Sequence, residues 1–249
     1  MRKQMLAVMV GLSVVLSGCS MQSTESMLQD VKKNTKEIKS GKLTTSMYST
    51  DKVYKPIGYN ISGYEKFDQI EYNLKGTFKD KGKDTNIELY IKDGVKYIKF
   101  NDGSRYRWSK NKLKPSGSEP FNFKKNAFNM KDSILNLLDN KDNWDISKDG
   151  DKVTFKLKKT DELKNKVKEI HNKELKKDLK YSEFEYTVEY VYNTKNKKLD
   201  KLFYEIVAAT SSSPLRVTTR GTLEDLNKEI KIELPEESKE AKELKEKKE

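Results

Sequence analysis

Ile87-Glu88-Leu89-Tyr90-Ile91-Lys92-Asp93-Gly94-Val95-Lys96-Tyr97-Ile98-Lys99-Phe100 is the stretch that decides the class of fold. Two runs rich in β-branched and aromatic residues flank Asp93-Gly94, a dipeptide that tolerates the two left-handed positions of a type I′ turn. A two-residue turn fixes the register of the strands it joins. Lys92 must oppose Val95, Tyr90 must oppose Tyr97, and Glu88 must oppose Lys99. Ile87, Leu89, Ile91, Ile98 and Phe100 then share one face, while a tyrosine pair and an ion pair occupy the other. An antiparallel sheet with one buried face is expected.

Working outward, Ile70 to Lys79 alternates in the same way: Ile70, Tyr72, Leu74 and Phe78 face one side, Glu71, Asn73, Lys75, Thr77 and Lys79 the other. Lys42 to Lys55 is predicted as a strand. Pro56 to Gln69 carries Pro56, Gly58 and Gly63 and reads as a loop, whose Tyr59, Tyr64 and Phe67 either serve a function or fold back on the core. Arg105 to Ser109 continues the sheet, and Lys114 to Pro120 is a Pro/Ser/Gly linker. Further on, Val153 to Lys158, Phe184 to Tyr192, Leu199 to Ala209, Leu215 to Leu223 and Ile230 to Leu234 are predicted strands. The second of these alternates Phe184, Tyr186, Val188, Tyr190 and Tyr192 with Glu183, Glu185, Thr187 and Glu189.

Three helices are predicted. Ser26 to Ser40 opens on a capping box formed by Ser26 and Gln29 and stops at Gly41. Asn129 to Asn140 carries Met130, Ile134, Leu137 and Leu138 on one stripe. Thr160 to Lys180 is capped by Thr160 and seamed by Leu163, Val167, Ile170, Leu175 and Leu179. The order is helix, meander, two helices, meander, which gives an α+β fold: an antiparallel sheet with helices packed over one face. Glu236 to Glu249 is nearly all Glu and Lys, a solvated helix or a frayed charged tail.

The N-terminus is a different kind of segment. Arg2 and Lys3 precede an uncharged run from Met5 to Leu16, too short to span a bilayer. It ends at Leu16-Ser17-Gly18-Cys19, the pattern of a lipobox, and Cys19 is the single cysteine of the chain. Small residues before the cysteine let the extended chain enter a peptidase groove, and the thiol takes the diacylglyceryl group. The expected division is therefore a signal peptide over 1–18, a lipidated tether over 19–25, one domain over 26–235 and the tail over 236–249. The expected location is the outer face of a cell membrane, held by two acyl chains where one would be marginal. Leu12 to Gly18 has the apolar character of signal-derived peptide pheromones, a property any lipoprotein signal shares.

The formal charge is +12, and loss of Arg2 and Lys3 lowers it to +10. A basic protein beside anionic lipid or anionic wall polymer is drawn to that surface, although abundant Lys equally serves solubility. Few residues recommend catalysis. His171 is the only histidine and falls on the polar side of its helix, which predicts a solvated position. Asp145, Ser147, Asp149 and Gly150 imitate a calcium loop, but its twelfth position is Lys156 where a bidentate Glu is needed, so Asp149-Gly150 reads as a hairpin turn. No cofactor and no metal site are expected. Tyr90, Tyr97, Tyr106 and Trp108, interleaved with Lys99, Arg105 and Arg107, suit a nucleic-acid or glycan platform, but ordinary sheet packing under a helix is favoured, and a lipid anchor argues against nucleic acid.

Several of these segments together resemble the Gram-positive lipoproteins with a LolA-like fold, related to the DUF6612 family. They are Ile87 to Ile98 followed by Trp108-Ser109-Lys110, Tyr186 to Tyr192 with its return from Leu199, and Gly221-Thr222-Leu223 through Ile230 to Leu234-Pro235-Glu236-Glu237. The segment Pro56 to Gln69 and the Lys-rich helix from Thr160 depart from that pattern. The resemblance implies a strongly curved antiparallel half-barrel with helices across its open side, holding acyl chains between sheet and helices, and no catalytic residues. The expected function is non-enzymatic binding of a lipid or other amphiphile. The alternative is an interaction module that sets its basic face against wall polymer or a protein partner.

Overall fold

The computed structural model describes residues 22–50, 56–101, 106–113, 123, 127–213 and 215–243. Its centre is a 12-stranded open sheet in the order β12-β6-β5-β4-β3-β2-β1-β11-β10-β9-β8-β7. The first meander comprises β1 (Ser40–Thr50), β2 (Ile57–Lys66), β3 (Glu71–Asp80), β4 (Lys83–Lys92), β5 (Val95–Asn101) and β6 (Tyr106–Lys112). The second comprises β7 (Trp144–Asp149), β8 (Lys152–Leu157), β9 (Tyr181–Asn193), β10 (Lys198–Thr210) and β11 (Arg216–Glu224). The two are joined by antiparallel pairing of β1 with β11. A short β12 (Lys242–Glu243) lies parallel to β6.

The hairpin from Ile87 to Phe100 forms in the expected register, with Lys92 opposite Val95, Tyr90 opposite Tyr97 and Glu88 opposite Lys99. Asp93 and Gly94 hold φ values of 52° and 71°, as a type I′ turn requires. Asp149-Gly150 likewise closes the β7–β8 hairpin.

The segment expected as a loop, Pro56 to Gln69, is the largest correction. Residues 57–66 are strand β2, paired along their whole length with β1 and β3. Its glycines are not loop signals. A Cβ at Gly58 would stand 2.1 Å from the Met47 carbonyl oxygen, and one at Gly63 would stand 1.7 Å from that of Asn73. A Cβ at Gly76 in β3 would stand 1.9 Å from the Asn60 carbonyl oxygen. Backbone of neighbouring strands approaches so closely only where the sheet bends, and glycine admits that bend. The curvature lets one hydrophobic cluster join Leu43, Ile61, Leu74 and Leu89 of the first meander to Phe155, Tyr190, Leu202 and Leu223 near the second.

The helices lie on the concave face over β8–β10. Helix α1 is Thr24–Lys36, not Ser26 to Ser40. Its cap is Ser23, whose hydroxyl accepts the Ser26 N–H at 3.2 Å, so Thr24 and Glu25 of the expected tether form the first turn. Gly41 does not end this helix: the chain from Ser40 is claimed by β1, which pairs on both sides. The predicted helix 129–140 is broken into 3-10 turns at Phe128–Met130 and Asn136–Asp139 around a single α-turn, α2 (Asp132–Leu135). The break has a cause, since the Leu137 carbonyl accepts the Trp144 indole N–H at 2.9 Å and the Asn143 amide at 3.0 Å, and of the backbone only the long 3-10 bond from Asn140 at 3.5 Å. Helix α3 runs Asp161–Leu175 under the expected Thr160 cap. It stops short of Lys180 because Lys176 turns left-handed and the Asn172 side chain bonds both N–H and C=O of Leu179. Leu175 is therefore exposed and outside the seam formed by Leu163, Val167 and Ile170.

Three hydroxyls of β9 fasten sheet to helices. Tyr186 donates to the Lys158 carbonyl at 2.5 Å, Tyr190 to the Asn129 carbonyl at 2.5 Å, and Tyr192 to the Asp30 carboxylate at 2.7 Å. Burial pushes Tyr186 and Tyr192 up to about 12 and Tyr190 further still, so all three remain donors.

Two expectations at the C-terminus are also corrected. Ile230 to Leu234 forms no strand, and its Ile232 is buried. The first part of the expected charged tail does not stand in solvent: Glu236–Glu240 form a 3-10 turn, Ser238 and Ala241 are buried, and β12 follows.

Candidate functional site

The helices cover the β8–β10 side of the concave face and leave its other end differently lined. Inward-facing residues can be followed from strand to strand by register. Met47 lies opposite Tyr59, and Tyr59 opposite Phe78, which places one apolar row across β1, β2 and β3. Ile57 stands two residues from Tyr59 on the same side. Met47, Ile57 and Phe78 are 37%, 44% and 42% exposed, although every residue deeper in these columns is buried or half-buried. The next row runs Ile61, Gly76, Ile87, Phe100, Arg107. Gly76 carries no side chain, and the backbone of β2 at Asn60 and Ile61 closes over it. The arrangement is an apolar mouth at the open end of a curved sheet, with Arg107 at its β6 rim.

Below the mouth the floor turns polar. Glu65 is 1% exposed and lies opposite Tyr72. Its two carboxyl oxygens accept the Phe123 N–H at 3.3 and 3.2 Å. Burial pushes this carboxyl up to about 8, and the single backbone bond does not reverse it. Glu65 is therefore largely neutral at pH 7, as an acid in an apolar site must be. The Phe123 ring lies 6.3 Å from that of Tyr204. Both rest over Gly221, where a Cβ would stand 2.2 Å from Tyr204 and 2.9 Å from Phe123. The Thr45 hydroxyl bonds the Arg220 carbonyl at 2.9 Å and also serves Tyr59 and Tyr204, whose phenols burial pushes upward. The result is an apolar entrance over a neutral, hydrogen-bonding floor, with no fixed charge exposed inside it among the described residues apart from the rim.

His171 is not the solvated residue its helical position predicts. It is half-buried, its ring lies 5.6–5.9 Å from those of Phe128, Tyr181 and Phe184, and its Nδ1 is 2.7 Å from the Tyr181 hydroxyl. That hydroxyl donates to Asn172 at 2.7 Å, so the proton of the His–Tyr bond sits on Nδ1. Burial lowers the pKa of this imidazole. The polarity of α3 hid it, because the aromatic side chains that cover it come from β9 and the 128–130 turn. Of the imitation calcium loop, Lys156 instead pairs with Glu189 at 2.9 Å.

The aromatic platform is sheet packing, but what covers it is the C-terminal segment around a 3-10 turn, not the expected helix. Tyr90 and Trp108 are buried on the convex face, 5.8 Å apart, beneath Ala241 and Leu234. Arg107 lies on the opposite face, and Arg105 falls outside the described residues. Cys19 with Leu16, Ser17 and Gly18 also falls outside them, as does the linker 114–120. Glu65 and the exposed row at Met47 and Phe78 were not singled out by sequence as a site. The signal was present, since an acid at position 65 alternates with Gly63 and Phe67, but the loop assignment hid it.

Among the described residues, three surface depressions are lined mainly by Lys, Asn and acids; one, of about 580 Å³, lies between Asn34 and Asn227. None of them opens onto the apolar mouth.

No protein-family model and no curated protein matches this sequence. Among solved structures, the chain is similar to LprF from Mycobacterium bovis, with 14% identity over 85% of this chain and 96% of that one, at a TM-score of 0.41. It is also similar to a LolA superfamily protein from Nitrosomonas europaea, with 10% identity over 86% and 96% of the two chains and a TM-score of 0.28. A DUF1329 family protein from Desulfovibrio piger gives 10%, 84%, 96% and 0.27. At such scores these likenesses carry no argument; the α+β architecture, a curved open antiparallel sheet with helices over its concave face, stands on strand order and register.

Proposed function

We propose that this protein binds a lipid or other amphiphile at the open end of its concave sheet and performs no chemistry on it. One observation carries the reading: Met47, Ile57 and Phe78 are exposed on the face that elsewhere forms the core, grouped around Tyr59, with Met47 and Phe78 opposite it in register and Ile57 two residues along the same strand. Exposed apolar surface in a contiguous row, rather than scattered singly, marks a place where something apolar is received. The neutral floor at Glu65 and the Tyr59–Thr45–Tyr204 hydroxyls offers hydrogen bonds without a charge that would repel an acyl chain.

The lipobox at Leu16 to Cys19 supports a diacylglyceryl anchor on the outer face of a Gram-positive membrane, in line with the resemblance to the DUF6612 lipoproteins. Gln22 is held by hydrogen bonds to Asp30 and Tyr192. An anchored Cys19 would then hold the folded body within roughly 11 Å of the bilayer, since a residue spans at most about 3.6 Å. In this reading the protein takes its ligand at the membrane surface. Mass spectrometry of the N-terminal peptide from native membranes tests the anchor: an unmodified Cys19 would remove it.

Uptake of a fluorescent fatty acid tests the binding. The chain should enhance its emission saturably, and Phe78→Asp together with Met47→Asp should abolish the enhancement while leaving the circular dichroism unchanged. Equal uptake by the double variant would place any binding elsewhere.

A further inference from the structure

The convex side of β4–β6 is covered by the chain's own C-terminus. Tyr90, Tyr97 and Trp108 form a small apolar patch there, packed under Leu234 and Ala241. Lys92 donates to the Ile232 carbonyl at 3.0 Å, and Lys242 and Glu243 pair with Ser109 and Lys110 of β6. Without this strap, β6 would be the open edge of the sheet.

We propose that the β6 edge is a docking site for an acidic, extended segment of a partner protein, which the C-terminal strap occupies until that partner displaces it. Three features support this. First, the strap uses the geometry of strand addition, and its described residues, which end at Glu243, pair with only two of the seven residues of β6. Second, charges match. The edge and its surroundings present Lys99, Lys110 and Lys112, and the strap brings Glu236, Glu237, Glu240 and Glu243 against Lys239 and Lys242, an acidic excess, with Glu236 paired to Lys239 inside the strap. Among the described residues the ion pair from strap to sheet is a loose one, Lys99 to Glu237 at 4.0 Å, while Glu88 of β4 holds Lys99 at 3.3 Å. Third, the strap fits its seat imperfectly. It sets small residues, Ser238 and Ala241, against or beside the aromatic pair, and it leaves the buried Trp108 indole N–H with no acceptor among the described residues. An incoming segment with an acceptor at that point would satisfy the donor. Lys99 lies 5.4 Å over the Trp108 ring, with Glu88 at 3.3 Å and Glu237 at 4.0 Å, so an incoming carboxylate would take the place of Glu237. Sheet edges are often guarded by lysine against unwanted pairing; here the same lysines select the sign of what pairs.

The site lies on the opposite face from the apolar mouth, so it does not depend on the amphiphile reading. The test uses the purified full chain and a labelled synthetic peptide of residues 231–243, followed by fluorescence anisotropy. Ala241→Glu should eject the strap. The variant is expected to bind the peptide at least about tenfold more tightly than the wild type, whose tethered strap competes at millimolar effective concentration. Binding should fall at about 1 M salt, where charges are screened within about 3 Å. A peptide with Gln for its strap glutamates should lose the gain. Equal affinity of variant and wild type, or of acidic and neutralised peptides, overturns the proposal. Hydrogen exchange on the wild type gives a reading independent of the variant's folding: the amides of Lys242 and Glu243 should exchange well before those of the β4–β5 hairpin. Exchange as slow as the hairpin's overturns the proposal equally.

Discussion

Replacing Glu65 with Gln should stabilise the protein, and by an amount that depends on pH. The carboxyl is buried, and burial pushes its pKa in the folded protein up to about 8 from the ordinary 4.5. The native state therefore keeps a proton that the unfolded chain releases above pH 4.5. In that window the unfolded state binds fewer protons, so stability falls as pH rises, and the fall ends once the native carboxyl itself ionises near pH 8. At 1.36 kcal/mol for each tenfold difference in proton affinity, the penalty reaches about 3 kcal/mol at pH 7 and about 4 kcal/mol at pH 8, levelling off at about 5 kcal/mol above it. That is a large share of the ~5–15 kcal/mol that holds a typical domain together. Glutamine has the same shape, keeps an oxygen for the Phe123 N–H and cannot ionise. Urea denaturation of wild type and Glu65→Gln at pH 5 and pH 7 measures the effect. The two proteins should differ little at pH 5, and the variant should be more stable by about 3 kcal/mol at pH 7. Parallel pH dependences, or a variant destabilised equally at both values, would refute the buried neutral acid.

Other consequences follow from single contacts. Tyr190→Phe removes the bond to the Asn129 carbonyl at 2.5 Å and should cost about 1–3 kcal/mol in thermal or urea unfolding. Gly76→Ala drives a Cβ toward the Asn60 carbonyl oxygen, 1.9 Å away, and should cost about 3 kcal/mol, whereas alanine at the open turn position Gly150 meets no atom and is penalised only by its positive φ. For His171, the folded pKa is lowered by burial, so its contribution to stability is present above the unfolded value near 6.5 and is lost as pH falls through the lower folded value. An NMR titration should find the His171 midpoint below that of a histidine in a denatured chain, and a midpoint at or above it would contradict the burial.

What the sequence made legible was mostly local. The Asp93-Gly94 hairpin and the alternation of Phe184 to Tyr192 fixed two meanders, because a two-residue turn and a period of two leave little choice. The strand β2 was illegible for a physical reason: Gly58 and Gly63 are breakers by propensity, yet here they admit the close approach of neighbouring strands where the sheet curves. Helix ends failed where tertiary partners took the backbone, as Trp144 did at Leu137 and β1 did at Ser40. The C-terminal strap failed likewise, since nothing in a Glu/Lys-rich run announces that Ala241 will cover Tyr90 and Trp108. The candidate site was only partly legible: Phe78 stood in the correct column of its strand, but its exposure depends on where the helices stop. Glu65 became visible only once β2 was a strand with an inward face.

The central claim, that an amphiphile is held at the apolar mouth, is tested most directly by native and denaturing mass spectra of one purified sample from residue 20 onward. The account predicts a mass excess in the native spectrum that disappears on denaturation and is missing from the Met47→Asp, Phe78→Asp double variant. Identical native and denatured masses, together with no uptake of added fatty acid, would contradict it.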